Sequence, residues 1–243
     1  MFGGKNKAIT FSYDDGVTQD IRLIEIFNKC NIRATFNLNS ELLGQTGSLV
    51  RNGVHVNHTK NNPQDVKFIY DGHEVAVHTL THPNLVDTED DNEVLRQVEQ
   101  DRINLSQLVG YEVEGMAYPC GGKNCDERVA NLIKNNTIIK YARTIETIKS
   151  FEPFNDLYQY KGTLYHHDEW DLLYDMGKKF LELQTDAPQI FYIWGHSYEF
   201  DIYPERWKLF EEFCKMMSNR SDIFYGTNIE VFNCLRYNSA GLK

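Results

Sequence analysis

No stretch of the 243-residue chain is apolar for long enough to cross a bilayer. Its opening residues, MFGGKNKAITF, carry no hydrophobic segment of a secretory leader before they enter a strand-like run. Basic residues never cluster. The 25 lysines and arginines are scattered among 35 acidic residues, for a net charge of −10, and the basic stripe of a phosphate-backbone binder is missing. Cysteine is scarce: the five thiols form no CxxC, and Cys30, Cys214 and Cys234 sit among apolar neighbours as buried thiols do. These absences predict a protein of a reducing, cytoplasmic compartment that engages neither nucleic acid nor a membrane, and they point to no protein partner. Repeats, low-complexity tracts and linkers are lacking too, so residues 1–243, 41% hydrophobic, read as one domain around one core.

Short apolar runs alternate with helical patterns along that domain. Strands are expected at 8–13, 33–38, 74–79, 115–119, 138–142, about 158–164, 190–195 and 223–226. Between them, Leu23, Ile24, Phe27 and Cys30 share one helical face in 18–30, as do Val94, Val98, Leu105 and Leu108 in 89–109, and Trp207, Phe210, Phe213 and Met217 in 204–219. Repeated strand–helix–strand units imply an α/β fold on a parallel sheet, at this length a closed or nearly closed barrel of seven or eight strands. An open doubly wound sheet is the alternative. The polar, Gly- and Asn-rich segment 44–73 interrupts the rhythm and reads as an irregular insert with a short hairpin and a helix at 63–70.

The reactive side chains fall at the carboxyl ends of these strands, the rim where α/β barrels place their sites. Asp14 and Asp15 follow the first strand, His78 and His82 the third, Tyr118, Pro119 and Cys120 the fourth, Arg143 the fifth, His166 to Asp168 the sixth, His196 the seventh and Asn228 the last. The HxxxH pair in HTLTHP is weak alone, but two imidazoles beside a rim aspartate form a common hydrolytic metal shell. One aspartate of FSYDDG could instead serve the N-terminus of the helix that follows. His196 could be a core histidine, and His55, His58 and His73 are assigned no catalytic role.

These motifs also carry a family resemblance. FSYDDG resembles the first motif of polysaccharide deacetylases, the nodulation-protein deacetylase homology domain of carbohydrate esterase family 4. HTLTHP is similar to the second motif, H-S/T-x-x-H; AYPCGG resembles the third, R-x-P-Y-G; YIWGHS resembles the fifth, a histidine after a late apolar strand. The likeness spans about residues 8–230 and implies a deformed (β/α) barrel. It further implies that Asp15, His78 and His82 hold one divalent metal ion, typically zinc, that Asp14 is the general base and His196 the general acid, and that the Cys120 N–H helps bind the oxyanion beside Tyr118 and Pro119. Two departures stand out: Ala117 occupies the place of the third-motif arginine and Cys120 that of its tyrosine. Arg143 is the candidate cation for Asp14 in that arginine's stead. HHDEWD loosely echoes the fourth motif and puts His166, Asp168 or Trp170 near the cleft, although Trp170 also suits an amphipathic core helix. The implied activity is metal-dependent removal of acetyl groups, N-acetyl before O-acetyl, from an acetylated carbohydrate. A hydrolase of a small non-peptide amide on the same fold, and a non-catalytic carbohydrate-binding domain, are the rival readings.

Overall fold

The first strand, β1 (Lys7–Asp14), is buried at every residue. A strand covered on both faces buries its polar residues too: Thr10, Ser12 and Asp14 alternate with Ile9, Phe11 and Tyr13, and none of the six is exposed. The computed structural model describes residues 1–240. After β1 come α1 (Asp20–Lys29), β2 (Thr35–Leu38), the hairpin β3 (Ser48–Arg51) and β4 (Val54–Asn57), the short α2 (Val66–Ile69), β5 (Glu74–Val77) and α3 (Asp91–Val109). Then follow β6 (Gly115–Ala117), α4 (Glu127–Asn136), β7 (Tyr141–Thr147), β8 (Tyr160–Gly162), β9 (Leu164–Tyr165) and α5 (Trp170–Glu182). The chain finishes with β10 (Gln189–Gly195), α6 (Glu205–Met217), β11 (Ile223–Tyr225) and α7 (Asn228–Ala240). No helix among the described residues is long and apolar enough to cross a membrane.

The strands of the large sheet pair in parallel in the order β8-β7-β6-β5-β2-β1-β10-β9. β10 follows one edge of β1 from Lys7 to Tyr13, while β11 and β2 share the other edge, β11 at Lys7–Ile9 and β2 at Ser12–Asp14. The two ends of the order meet in one segment. β8 bonds to β7, and just beyond it Thr163 donates its N–H to the Tyr192 carbonyl at 2.8 Å as β9 joins β10. The sheet thus curls toward the deformed (β/α) barrel, nearly closed, although β8 and β9 do not pair with each other.

Alternation along the strands divides two cores. Ile9, Phe11 and Tyr13 pack outward with Leu23, Phe27, Val98 and Phe210 of the surrounding helices. Ala8 belongs with Tyr141, Tyr192, Trp194 and Phe232 in the barrel interior. Asp14 continues the inward-facing set and so arrives at the barrel mouth. At the other end, Asn228 at the start of α7 donates to the Tyr192 hydroxyl at 2.6 Å and accepts from Thr10 at 2.8 Å.

Two strands differ from what the sequence suggests: the run at about 158–164 opens with a 3-10 turn, Leu157–Gln159, and splits into β8 and β9 on different neighbours, and the run at 138–142 starts late. Ile138-Ile139 reads as the start of a strand over 138–142, yet Ile138 is exposed and β7 begins at Tyr141. Arg143 is thus inside the strand rather than at its end, and it is wholly buried. The helix expected at 63–70 is a single 3-10 turn, Pro63–Asp65, running into α2.

Gly195, just before His196, shows how tightly the rim is built. A Cβ there would fall 1.8 Å from Cδ2 of His166, a ring that is 1% exposed and stacked on Phe200 at 4.7 Å. Gly195→Ala is expected to destabilise the fold by about 1–3 kcal/mol or more through overpacking. Denaturant unfolding checks this, and an unchanged midpoint would refute the close fit.

Candidate active site

The adjacent aspartates point apart because the backbone changes hand between them. Asp14 ends the extended strand, whereas Asp15 has φ 85°. Asp14 is 2% exposed and accepts two bonds from Nη2 of Arg143, at 2.6 and 2.5 Å, and one from Asn37 at 2.7 Å. The guanidinium also lies 4.5 Å from the Trp194 ring. Burial pushes the Asp14 carboxyl up, but Arg143, then His78 and His196, hold it below its ordinary value.

Asp15 faces two imidazoles instead. Its Oδ1 is 4.0 Å from Nε2 of His78 and 3.6 Å from Nε2 of His82, and the ligand atoms of the three residues lie within 4.8 Å of one another. Bonds of about 2 Å would bring tetrahedral ligand atoms to about 3.3 Å from one another, so the three side chains stand a little wider than a closed shell and draw in to hold one cation. Nδ1 of His78 is 2.9 Å from the Ala117 carbonyl, which can only accept, so the ring proton sits on Nδ1 and Nε2 keeps its lone pair. Burial drives the His78 pKa down to about 4, so the ring is neutral as a ligand must be. Asp101 holds the His78 backbone N–H at 3.2 Å. These residues fit a divalent metal.

The insert contributes what sequence reasoning misses. His58 Nε2 lies 3.1 Å from Oδ2 of Asp15, and Lys60, 7% exposed, donates to the Asp15 carbonyl at 2.7 Å with its ammonium 3.4 Å from Oδ1. Burial raises the Asp15 carboxyl, yet the His58 bond and the Lys60 charge hold it well below the usual range. A residue in an aperiodic loop gives no pattern from which such a contact could be read. His55, by contrast, is exposed.

His196 stands opposite Asp14, its Nε2 3.9 Å from Oδ2. Behind it sits Glu199, 1% exposed, with Oε1 3.1 Å from Nδ1 of His196 and Oε2 accepting the His196 N–H at 3.0 Å. Tyr165 donates its hydroxyl to the same carboxylate. Burial alone would lower the His196 pKa, but Glu199, then Asp15 and Asp14, raise it to about 9, while Glu199 is drawn down to about 2. Glu199 is absent from the sequence reading; the available signal was a carboxylate three residues after a histidine, where one tight turn brings both together.

A cavity of about 340 Å³ joins Asp14, Asp15, His78, His82, Tyr118, Cys120 and His196. It meets a second lobe of about 520 Å³ on the hairpin side, with Asp15, Arg51, His82 and Tyr198 common to both. Pro119 is buried between Tyr118 and Cys120. Two residues expected near the cleft lie elsewhere. His166 is buried under Glu199 among Tyr13, Phe200 and Phe210, and Trp170 packs at the start of α5 against Phe200 and Arg206. Tyr165, Asp168 and Trp194 line the wall in their place.

The barrel fold that carries this rim is shared by solved structures. The peptidoglycan deacetylase PdaC from Bacillus subtilis is 16% identical, with 97% of this chain and 95% of that one covered at a TM-score of 0.56. A peptidoglycan N-acetylglucosamine deacetylase is 19% identical over 94% of this chain and 90% of its own, TM-score 0.57. A carbohydrate esterase family 4 pseudoenzyme from Bacillus anthracis is 15% identical over 94% of this chain and 66% of its own, TM-score 0.55. At these identities the likeness establishes the fold, and the pseudoenzyme shows that the fold does not by itself bring activity. No curated protein matches the chain. The sequence model of polysaccharide deacetylases matches residues 3–138, and the chain belongs to that family.

Proposed function

We propose that the protein is a metal-dependent deacetylase that hydrolyses N-acetyl groups of a carbohydrate, with Asp15, His78 and His82 holding the ion, zinc by preference. The observation that carries this reading is the opposed polarity of a buried carboxylate and a half-buried imidazole. Asp14 is kept ionised by Arg143 and His196 is kept protonated by Glu199, on the two sides of one cavity. Groups pushed apart in this way are suited to be base and acid. The ion, when bound, supplies a Lewis acid that acidifies water and draws on the acyl oxygen.

Asp14 accepts a proton from the attacking water at its carboxylate. His196 gives a proton from Nε2 to the leaving nitrogen, which departs as an amine rather than an anion. Glu199 holds the imidazole by Nδ1 so that Nε2 faces the cavity. The Cys120 N–H is assigned to the developing oxyanion. Water and amide give acetate and amino sugar. The second lobe favours a substrate longer than a small cyclic amide. The test is acetate release from a panel of N- and O-acetylated sugars and oligosaccharides, with and without chelator. Release from N-acetylated oligosaccharides that stops on metal stripping and returns with zinc is expected; release insensitive to stripping refutes the assignment.

The acid role fixes a pH dependence. His196 must be protonated to donate, and with its pKa raised to about 9 the alkaline fall in kcat/KM belongs near that pH in the absence of further charge. A bound cation lowers this limb in wild type and variant alike, so the comparison is with Glu199→Gln. Without the carboxylate, burial acts on the ring with only Asp14 and Asp15 opposing it, and the limb moves to lower pH. An alkaline limb that stays in place would remove His196 from the acid role.

A further inference from the structure

We infer that the Cys120 thiol is a positioning residue for the metal centre: it fixes the ring of His82 so that Nε2 presents a lone pair toward Asp15. This rests on the metal-dependent reading above. The sulfur lies 3.5 Å from the His82 carbonyl oxygen and 3.7 Å from Nδ1 of His82. The carbonyl, the nearer of the two, only accepts; with the single S–H proton given to it, the sulfur offers Nδ1 only lone pairs. In that arrangement Nδ1 of His82 carries the hydrogen. A neutral imidazole has one N–H, so Nε2, 3.6 Å from Oδ1 of Asp15, is left bare.

His78 is fixed in the same sense by a different acceptor, its Nδ1–H bonding the Ala117 carbonyl at 2.9 Å. Residues 117–120 therefore supply the outer partner of both histidines. The Ala117 contact uses backbone and survives any side chain at that position. The Cys120 contact depends on the side chain. In the opposite tautomer His82 would aim an N–H at Asp15 and could not ligate.

The backbone places this thiol in a rim segment of unusual conformation. Cys120 has φ 70°, a left-handed conformation that side chains other than glycine seldom take, and Gly121 and Gly122 follow it. Asp15, Thr79 and His82 share this conformation at the same rim. Backbone of this kind persists where the surroundings over-determine it, as at a preorganised site.

The test uses the full chain and zinc. Competition against a chromophoric chelator is expected to show zinc bound roughly 10–100-fold more weakly by Cys120→Ala. Cys120→Ser, whose hydroxyl can also donate to the carbonyl and accept from Nδ1, should recover most of that loss. In the metal-free wild type, long-range ¹H–¹⁵N spectra should report His82 as the Nδ1–H tautomer. An Nε2–H tautomer there, or wild-type zinc affinity in Cys120→Ala, overturns the inference. If the wild type binds no zinc at all, the metal-dependent reading fails, while the His82 tautomer still decides the role of Cys120.

Discussion

Asp14→Asn is expected to lower turnover by roughly 10²–10⁴-fold in a protein that still binds zinc. The amide is nearly isosteric, and its oxygen at the Oδ1 position can still accept from Arg143 and Asn37, while its NH2 loses the second Arg143 bond. It has no basic oxygen to take a proton from water. Asp15, His78 and His82 form the proposed metal set without Asp14, so the ion should stay. The measurement is kcat per zinc-loaded molecule on an acetylated oligosaccharide. A zinc-loaded, fully active Asp14→Asn protein would sink the base assignment. Zinc lost together with activity would place Asp14 in the metal shell instead. Asp15→Asn should behave in the opposite way, with zinc content falling after dialysis; unchanged zinc in that variant would contradict the division of labour between the two carboxylates.

The barrel and its reactive rim are legible in the sequence for one physical reason. Parallel strands buried on both faces appear as apolar runs, and the polar residues that end each run mark one face of the barrel. What escapes is set by local geometry. β7 reads three residues early because Ile138 and Ile139 imitate a strand start, although the buried ladder begins at Tyr141. HHDEWD looks like rim chemistry throughout, yet strand alternation sorts it: Leu164 packs outward, Tyr165 sits against the barrel interior, and His166 turns outward again onto Phe200. Applying the same period of two to His166 would have placed it under the site rather than in it. His58 and Lys60 lie in the insert, where no periodicity fixes direction and only the folded chain brings them to Asp15.

Arg143→Met should cost about 3–5 kcal/mol of stability, the usual result of removing one partner of a buried ion pair. Both members are nearly inaccessible, with Arg143 at 0% and Asp14 at 2% exposure, and the guanidinium makes both of the short bonds to Asp14 from Nη2. Left alone, the Asp14 carboxyl loses the charge that chiefly offsets its burial, so its pKa rises. The rate loss in Arg143→Met therefore has a signature that Asp14→Asn lacks: it eases as pH rises and Asp14 ionises again. Combining Asp14→Asn with Arg143→Met removes both charges together. The double variant should regain much of the stability lost by the single Arg143 variant while remaining inactive at every pH, because satisfying a buried pair and supplying a base are different tasks. If stability losses simply add, the ion pair does not couple the two residues. If the double variant turns over substrate, Asp14 is only the counterion of Arg143 and the base lies elsewhere on the rim.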